Sequence, residues 1–593
     1  MLSKMNLISD EINFDKFSEN IYYMVEKDGI NCLYSYNLST KEIKSEYVPS
    51  SPWKLINYYK RTGEDTLLLL MRQKKTTHSE LWMQNCEGEL KFLGPEESEI
   101  CNQGIYLEKV AGVISNIVNK ISGESYLRYI DLSSGMEEDL IKHDGLISIQ
   151  TISPCGNYVV IIFSEKGFKV KIGVLDLRNR KLIFNSSFSL RVESVVWHFN
   201  NEGFYILTNE LTEYISIYYV SLDNFLKGNF LNSMEEVYVG KNDIEQLVSL
   251  KDGVIFTSNT NGYSTISHLN SSSKIEEIYT NIKGVITGFS LSNDNRKLAF
   301  KISTINSPGD ICIYNLNSKC IDRLGLNKSK TFYEISLLQK SLTSTGPYLN
   351  NYSSNIIAKK KYPAIILLHG GPHKQDRPSF NPLKKLLVKQ GFVVICPNIS
   401  GSTGYGKTYE ESILGGWGGQ DLDEIKQIYN WLQKQEWVIK DRIFLCGFSY
   451  GAYLTLLAVS KLECKFYKAI AISGPVNLLD FINNMPLETQ NILQKNVGDS
   501  SSEDKRKYLL SNSPSTYITS ISCPILIAHG SQDDKINRDS IFKYVKKAIS
   551  FGKDMTYYEV EGEGHSLSYS NTDINSLLTD CLKFMDSNKY SNT

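Results

Sequence analysis

Two regions of the chain differ in how apolar and polar residues alternate. Up to about residue 330, short apolar stretches rich in Tyr, Ile and Val alternate with polar turns, as in residues 158–167. This alternation predicts β-strands joined by turns. After about residue 360 the apolar runs are short and nearly continuous, as in residues 364–368 and 443–446, and amphipathic segments separate them. That pattern predicts buried parallel strands that alternate with helices.

The first region repeats one phrase, which consists of a turn, a strand, a polar hairpin and a second strand. The first strand of the phrase recurs every 43 to 50 residues, and begins near Tyr22, Thr66, Gly112, Tyr158, Phe204, Val254 and Lys297. Seven units of this length, each able to supply about four strands, match the blade period of a β-propeller. The alternative is a set of unrelated hairpins. We expect a seven-bladed propeller over residues 21–330, preceded by a segment, 1–20, that packs on the second domain.

The second region, residues 331–593, predicts a doubly wound α/β domain with a mostly parallel sheet, whose ligand site lies at the carboxyl ends of the strands. An apolar run there ends in Gly447-Phe448-Ser449-Tyr450-Gly451. This fits the G-x-S-x-G turn that presents a nucleophilic serine between a strand and a helix. The alternative is a serine in an ordinary tight turn. The two are distinguished by whether the chain also supplies a histidine and a carboxylate as partners for Ser449.

A serine nucleophile needs a histidine base, and the base needs a carboxylate. In α/β-hydrolases both follow the serine along the chain. Of the eight histidines, only His529 and His565 follow Ser449. His529 sits at the end of a strand, where it favours a role in a turn, so His565 in a glycine-flanked loop is the expected base. Asp533 is the expected acid, with the adjacent Asp534 as the alternative.

An acyl-transfer site also needs donors for the oxyanion. The backbone N–H of Tyr450, which follows the nucleophile, is one expected donor. Gly371, in the segment His369-Gly370-Gly371-Pro372 after a buried strand, is the second candidate. A Gly-Gly-Pro segment is also a common tight turn.

Composition narrows the possible partners. The chain has 593 residues, more than one hydrophobic core usually organises, and its 64 Lys and Arg balance 65 Asp and Glu. This balance favours neither nucleic acid nor an anionic membrane. The 11 cysteines are scattered, which argues against a disulfide framework, and the histidines lack metal-ligand spacing, so we expect no metal and no cofactor. With no apolar run of membrane-spanning length and no leader pattern, we expect a cytoplasmic protein.

Five segments together resemble the prolyl oligopeptidase family of serine peptidases, and especially its acylaminoacyl-peptidase branch. They are residues 369–373, 397–406, 416–423, 447–453 and 529–536. The resemblance implies an N-terminal propeller over the catalytic domain. It assigns Ser449 as nucleophile, Asp533 as acid, His565 as base, and Tyr450 with Gly371 as oxyanion donors. It also implies a restriction to short peptides, because in that family the propeller encloses the active site.

Two positions depart from the family pattern. Ser400 and Lys535 stand where family members commonly carry arginine. We take Lys535 and Trp417 as candidate substrate-binding residues. The Glu-Glu pairs of this chain lie outside the aromatic-rich helix with which family members bind a free amino terminus, which disfavours dipeptidyl release.

The leading hypothesis is therefore a serine peptidase acting on short, N-acylated or free peptides, which forms homo-oligomers as such enzymes do. An esterase, amidase or peptide acyl transferase with the same triad is the second hypothesis. A propeller binding protein with a silent hydrolase domain is the third.

Overall fold

The computed structural model describes residues 7–586 except 16, 28–29, 51–52, 61–65, 74–77, 108, 110, 165–168, 185–188, 229, 231–232, 279, 281, 327–335, 344–345, 355–359, 486 and 566–571. The chain forms two compact units. Residues 6–302 and 309–328 make up the first unit, and most of the second consists of residues 329–593. The expected domain boundary at residues 330 and 331 lies outside the described residues.

Within the described residues, the first unit contains seven four-stranded sheets in which strands consecutive along the chain are hydrogen-bonded neighbours. The first four sheets comprise β1 to β4 (Leu7–Phe14, Asn20–Lys27, Ile30–Asn37, Ile43–Tyr47), β5 to β8 (Trp53–Lys60, Leu67–Gln73, Ser79–Gln84, Leu90–Gly94), β9 to β12 (Glu99–Leu107, Gly112–Asn119, Ser125–Asp131, Glu137–His143) and β13 to β16 (Ile147–Ile152, Tyr158–Ser164, Val170–Asp176, Lys181–Phe184). The other three comprise β17 to β20 (Ser194–Trp197, Gly203–Thr208, Ser216–Ser221, Glu235–Tyr238), β21 to β24 (Ile244–Leu250, Gly253–Thr260, Tyr263–Leu269, Ile275–Ile278) and β25 to β28 (Val285–Leu291, Lys297–Thr304, Ser307–Asn315, Ile321–Arg323). A short helix, α1 (Leu222–Leu226), follows β19. The prediction of a seven-bladed propeller is confirmed.

The repeat read from the sequence falls on the second strand of each sheet. Most residues of these second strands are buried, and in β18 all six are. The fourth strands are mostly exposed, as in β24, where three of four residues are exposed. The second strand therefore carries the strongest apolar signal, because neighbouring sheets cover both of its faces.

The propeller begins earlier than residue 21. Strand β1, Leu7–Phe14, pairs with β2 and belongs to the first sheet, so the expectation that all of residues 1–20 lie outside the propeller is wrong for this strand. β1 also contacts β25 of the seventh sheet. Thr287 donates a hydrogen bond to Asp10 at 2.7 Å, and Lys301 Nζ donates to the carbonyl of Ile8 at 2.8 Å. These contacts close the ring of sheets, whereas residues 1–6 lie outside the described ranges.

The second unit is built on one eight-stranded sheet in the order β29-β30-β32-β31-β33-β34-β35-β36. The strands are β29 (Ser336–Ser341), β30 (Tyr348–Ser353), β31 (Tyr362–Leu368), β32 (Val393–Asn398), β33 (Val438–Phe448), β34 (Ala469–Ile472), β35 (Ile525–Gly530) and β36 (Met555–Val560). β29, β30 and β32 pair in antiparallel fashion, and β31 to β36 pair in parallel. The carboxyl ends of the parallel strands therefore meet at one edge, as the sequence predicts for a doubly wound sheet.

Helices cover both faces of this sheet. They are α2 (Pro382–Lys389), α3 (Lys407–Glu411), α4 (Gln420–Lys434), α5 (Tyr450–Lys461), α6 (Leu478–Asn483), α7 (Leu487–Asn496), α8 (Glu503–Ser511), α9 (Arg538–Ser550) and α10 (Thr572–Asp586), with a 3₁₀ segment at Pro514–Ser520. One apolar core contains the inner faces of α4, α5 and α9, and the other contains those of α2 and α10. In the part of the chain that the structure describes, no helix combines the length and the apolar character that crossing a membrane requires.

Candidate active site

Ser449 lies in a sharp turn between β33 and α5. Its backbone adopts φ 53° and ψ −116°, a conformation that side-chain-bearing residues rarely adopt. The flanking glycines make this turn possible, because a Cβ on Gly447 would lie 2.1 Å from the carbonyl oxygen of Gly451. A Cβ on Gly451 would lie 2.5 Å from the carbonyl oxygen of Leu368. The turn thus presents the Ser449 side chain at the carboxyl edge of the sheet, as a nucleophile elbow does.

His565 and Asp533 complete a hydrogen-bonded series with Ser449. Ser449 Oγ lies 3.0 Å from His565 Nε2. His565 Nδ1 lies 2.9 Å and 3.1 Å from the two carboxylate oxygens of Asp533. These distances fit a serine whose proton passes to an imidazole that a carboxylate orients. The structure therefore brings together the three residues that the sequence selects.

Asp533 is held as an ionised acceptor. Its side chain is fully buried, and its Oδ1 accepts the backbone amides of Lys535 and Ile536, each at 2.9 Å. Burial alone would raise the pKa of Asp533, but the hydrogen bond from His565 and these two amides lower it below the usual value. Asp534, the alternative acid, is exposed to solvent. The geometry thus pairs His565 with Asp533, the acid that the sequence analysis favours, and not with the adjacent Asp534.

Hydrogen bonds between two loops place Asp533 opposite His565, and no sequence pattern predicts these contacts. Gln532 N donates to the carbonyl of Glu563 at 2.8 Å, and Gly562 N donates to Ser531 Oγ at 2.8 Å. A Cβ on Gly530 would lie 2.4 Å from the carbonyl oxygen of Glu563. The loops that follow the neighbouring parallel strands β35 and β36 therefore pack backbone to backbone, and this contact sets the spacing of acid and base.

His529, the histidine that the sequence sets aside, is buried beside the acid. Its Nε2 lies 3.1 Å from the carbonyl oxygen of Ile536, so this nitrogen carries the proton and donates it. The same nitrogen lies 3.7 Å from Asp533 Oδ2, beyond hydrogen-bond distance. Burial lowers the pKa of His529, which keeps the ring neutral. His529 therefore braces the loop that carries the acid.

One expected oxyanion donor follows Ser449 along the chain, and the other belongs to the segment that contains Gly370. Tyr450 is the first residue of α5, and the first amides of a helix have no partner within the helix. Gly370 lies against the elbow, since a Cβ on it would be 3.3 Å from Ser449 Cβ. Its carbonyl lies 2.8 Å from His369 Nδ1, and the same peptide unit carries the amide of Gly371. Sequence reasoning did not identify the roles of Gly370 and His369 in this turn.

Trp417 lies in the core and not on an accessible surface. It is 4% exposed, and its ring packs edge-on against Tyr450 at 4.6 Å and tilted against Tyr453 at 5.6 Å. Its predicted part in substrate binding therefore gains no support from its position. Its ring contacts with Tyr450 and Tyr453 instead make it part of the core that packs against helix α5.

Lys535 lines a pocket at the carboxyl ends of β34 and β35, two residues beyond Asp533. The pocket is shallow and opens to solvent. Val476, Phe481 and Ile536 supply apolar wall, and Asp480 adds a carboxylate. The lining of this pocket includes none of Ser449, Asp533 and His565.

Ser400, the other departure from the family pattern, is buried and cannot meet a substrate from the surface. Its backbone amide and its hydroxyl donate to Glu424 at 2.7 Å and 2.6 Å. Burial raises the pKa of Glu424, and these two donors act against that rise. In the described part of the chain, no group of three or more His, Cys, Asp or Glu side chains could hold a metal ion.

This constellation places the second unit among the α/β-hydrolases with a Ser-His-Asp site. Residues 378–590 match the model of the prolyl oligopeptidase family, so the chain carries a prolyl oligopeptidase family domain, as its motifs indicate. Dipeptidyl aminopeptidase BIII of Pseudoxanthomonas mexicana is 29% identical over 209 residues, which are 35% of this chain and 30% of that protein. The match thus spans about a third of that relative's length.

Two solved structures share the fold over nearly the whole chain. One is a puromycin-hydrolyzing peptidase of Mycobacterium tuberculosis, with TM-score 0.82, 15% identity and coverage of 97% of this chain and 94% of that chain. The other is the acylaminoacyl peptidase of Pyrococcus horikoshii, with TM-score 0.77, 15% identity and coverage of 100% and 98%. At this level of identity the likeness shows the fold, a propeller followed by a hydrolase domain.

Proposed function

We propose that this chain is a serine peptidase that hydrolyses short peptides through an acyl-enzyme on Ser449. The observation that carries the proposal is the unbroken hydrogen-bonded series from Ser449 Oγ through His565 to the buried Asp533. Such a series activates a hydroxyl that is otherwise a poor nucleophile at neutral pH. The family domain and the peptidase names of the similar proteins support the same class.

Acylation begins when Ser449 Oγ attacks the scissile carbonyl carbon and its proton passes to His565 Nε2. The carboxylate of Asp533 stabilises the imidazolium that forms. The amides of Tyr450 and Gly371 donate hydrogen bonds to the oxyanion, an effect worth about 3 to 4 kcal/mol for one donor. When the tetrahedral intermediate collapses, the C–N bond breaks and His565 returns the proton to the leaving amine.

Deacylation repeats these steps with water. His565 removes a proton from a water molecule, the resulting oxygen nucleophile attacks the acyl carbonyl, and Ser449 leaves with the proton from His565. If an amine or alcohol enters in place of water, the same chemistry becomes acyl transfer, and an ester substrate needs only the same groups. A silent hydrolase domain would not need the strained elbow and the ionised acid, so the third hypothesis is the weakest.

The pocket beside Lys535 suggests which peptides fit. We infer that its apolar wall receives a small apolar side chain of the substrate. Lys535 offers one compact positive charge instead of the planar fork of an arginine, which weakens bidentate recognition of a substrate carboxylate. We therefore favour N-acylated substrates. The relatives named as dipeptidyl peptidases make dipeptidyl substrates the main competitor.

Restriction to short peptides, assembly into homo-oligomers and a cytoplasmic location complete the proposal. Each rests on sequence and family resemblance. Digestion of a short peptide beside a folded protein, light scattering after gel filtration, and cell fractionation test them in turn.

The first experiment compares anilides of alanine and phenylalanine with free and acetylated amino termini, a dipeptidyl anilide and a nitrophenyl ester. A fluorophosphonate probe followed by peptide mass spectrometry reports which residue reacts. We expect label on Ser449, cleavage of the acetylated anilides, and loss of both in Ser449→Ala. Absence of label on the folded wild-type chain would overturn the proposal, whereas ester turnover without anilide cleavage would favour an esterase or transferase.

A second experiment tests Lys535 with a matched pair of variants. Lys535→Ala removes the charge, and Lys535→Arg keeps it in fork geometry. We expect Lys535→Ala to raise KM for acetylated anilides with little change in kcat, because a contact of this kind acts before the transition state as well as in it. Lys535→Arg is expected to retain more of the affinity. Equal KM values in all three proteins would remove Lys535 from the substrate site.

A further inference from the structure

Asp421 is a buried carboxylate that the proposed reaction does not use. It stands in the first turn of α4, has no exposed surface, and accepts three hydrogen bonds. Its Oδ2 accepts the hydroxyl of Tyr450 at 2.5 Å and the amide of Gly418 at 3.1 Å, and its Oδ1 accepts the amide of Leu422 at 2.8 Å. Burying a carboxylate costs several kcal/mol unless it is well partnered, so a position that carries one calls for an explanation.

The hydroxyl that Asp421 holds belongs to the residue next to the nucleophile. Tyr450 is 2% exposed, and its ring meets Trp417 edge-on with the ring centres 4.6 Å apart. Its side chain is thus fixed at the ring by packing and at the tip by the carboxylate. Its backbone amide is one of the two oxyanion donors under the proposed function.

A fixed side chain restricts the backbone that carries it. The Ser449–Tyr450 peptide lies in a strained turn, and strained turns persist only where their surroundings over-determine them. Gly447 and Gly451 constrain the turn from the backbone, and the Tyr450 hydroxyl constrains it from the side chain. A donor amide must point at the developing oxyanion with little error, since a misplacement of about 1 Å can cost about 100-fold in rate.

We propose that Asp421 is a positioning residue, which holds the Tyr450 hydroxyl and thereby aims the Tyr450 amide at the oxyanion. The inference rests on the proposed function, because it assigns a role within the same reaction. Asp421 is not one of the reacting groups, and its contact with the residue beside the nucleophile is the hydrogen bond from the Tyr450 hydroxyl.

The chain offers a matched control one turn along the same helix. Tyr453 is also fully buried, and its hydroxyl donates to the carbonyl of Asn512 at 2.9 Å. Loss of either hydroxyl removes one buried hydrogen bond from α5, and the loss at Tyr450 is the more destabilising because its acceptor is a carboxylate. Only the loss at Tyr450 releases the residue that follows Ser449.

The test measures kcat, KM and melting temperature for Tyr450→Phe, Tyr453→Phe, Asp421→Asn and Asp421→Ala in the full chain. We expect Tyr450→Phe to lower kcat by ~10-fold with KM unchanged, since an oxyanion contact acts in the transition state. Tyr453→Phe should lower the melting temperature and keep kcat. Asp421→Asn, which still offers hydrogen bonds to Tyr450, should retain more kcat than Asp421→Ala.

A peptidyl boronic acid supplies the second measurement, because its tetrahedral adduct on the serine places an oxygen in the oxyanion site. We expect its affinity to fall in Tyr450→Phe by the same factor as kcat. Fluorophosphonate labelling of the wild-type chain separates the two levels of the argument. If the wild type does not label, the proposed function and this inference fall together. If it labels and turns over substrate, but Tyr450→Phe matches Tyr453→Phe in kcat and in boronate affinity, Asp421 has a structural role only and the inference is refuted.

Discussion

Replacing Asp533 by asparagine tests the arrangement of the site most sharply. Both oxygens of Asp533 lie near His565 Nδ1, Oδ2 at 2.9 Å and Oδ1 at 3.1 Å, but only Oδ1 also accepts the amides of Lys535 and Ile536. The two amides hold an acceptor at the Oδ1 position, so the side-chain oxygen of asparagine must occupy it. The NH₂ group of asparagine then takes the place of Oδ2, the oxygen that lies closer to His565 Nδ1.

A donor in that place reverses the tautomer of the histidine. His565 Nδ1 must accept, so the ring proton moves to Nε2, which faces Ser449 Oγ at 3.0 Å and can no longer take its proton. In chymotrypsin-type triads the same exchange lowers kcat by about 10⁴-fold, which corresponds to ~5.5 kcal/mol in the activation free energy. We expect a loss of this order here, with KM changed little and the fold intact.

Asp534→Asn is the matched control, because it makes the same chemical change one residue further along the chain on an exposed side chain. The assay is steady-state cleavage of the best acetylated anilide, with circular dichroism melts of both variants. If Asp533→Asn keeps kcat within about ten-fold of the wild type while folded, or if Asp534→Asn loses as much, the tautomer argument is refuted.

Three further substitutions test the site and its support. Gly451→Ala should prevent the elbow from forming, because its Cβ would lie 2.5 Å from the carbonyl oxygen of Leu368; a variant that labels with fluorophosphonate like the wild type would contradict this. Burial lowers the pKa of His529, so as pH falls below ~6.5 the unfolded state binds a proton that the folded state does not, and stability falls. His529→Gln, which keeps a side-chain N–H donor, should make the decrease in melting temperature from about pH 7.5 to about pH 5.5 smaller than in the wild type; an equal decrease would exclude His529 as a source. Trp417→Phe should lower the free energy of unfolding by about 1 to 3 kcal/mol and leave KM unchanged, since Trp417 is a core residue; a raised KM in a stable protein would restore it to the substrate site.

The fold was largely accessible from the sequence because its two regions differ in the period of their apolar residues. Strands covered on both faces must be apolar along their length. Such strands recur seven times in the first region and form the parallel part of the sheet in the second, so both could be recognised from the sequence. The boundary near residue 21 was wrong because β1 is a first strand with interspersed acidic residues, and it resembles a solvated segment until it pairs with β2. Burial of Trp417 was missed for a related reason, since a tryptophan between glycines looks like a loop residue in one dimension.

The sequence by itself determined which residue types stand at the ends of the parallel strands. Ser449 in its glycine elbow, and His565 as the remaining histidine after it, follow from chain order and local sterics alone. Only the tertiary structure shows why Asp533 and not Asp534 pairs with His565, because a carboxylate becomes a partner of His565 through the packing of the β35 and β36 loops. The same holds for Asp421, whose hydrogen bond to Tyr450 joins residues 29 positions apart. Local patterns fix conformation over a few residues, whereas the distance between two side chains from different strands depends on every contact between those strands.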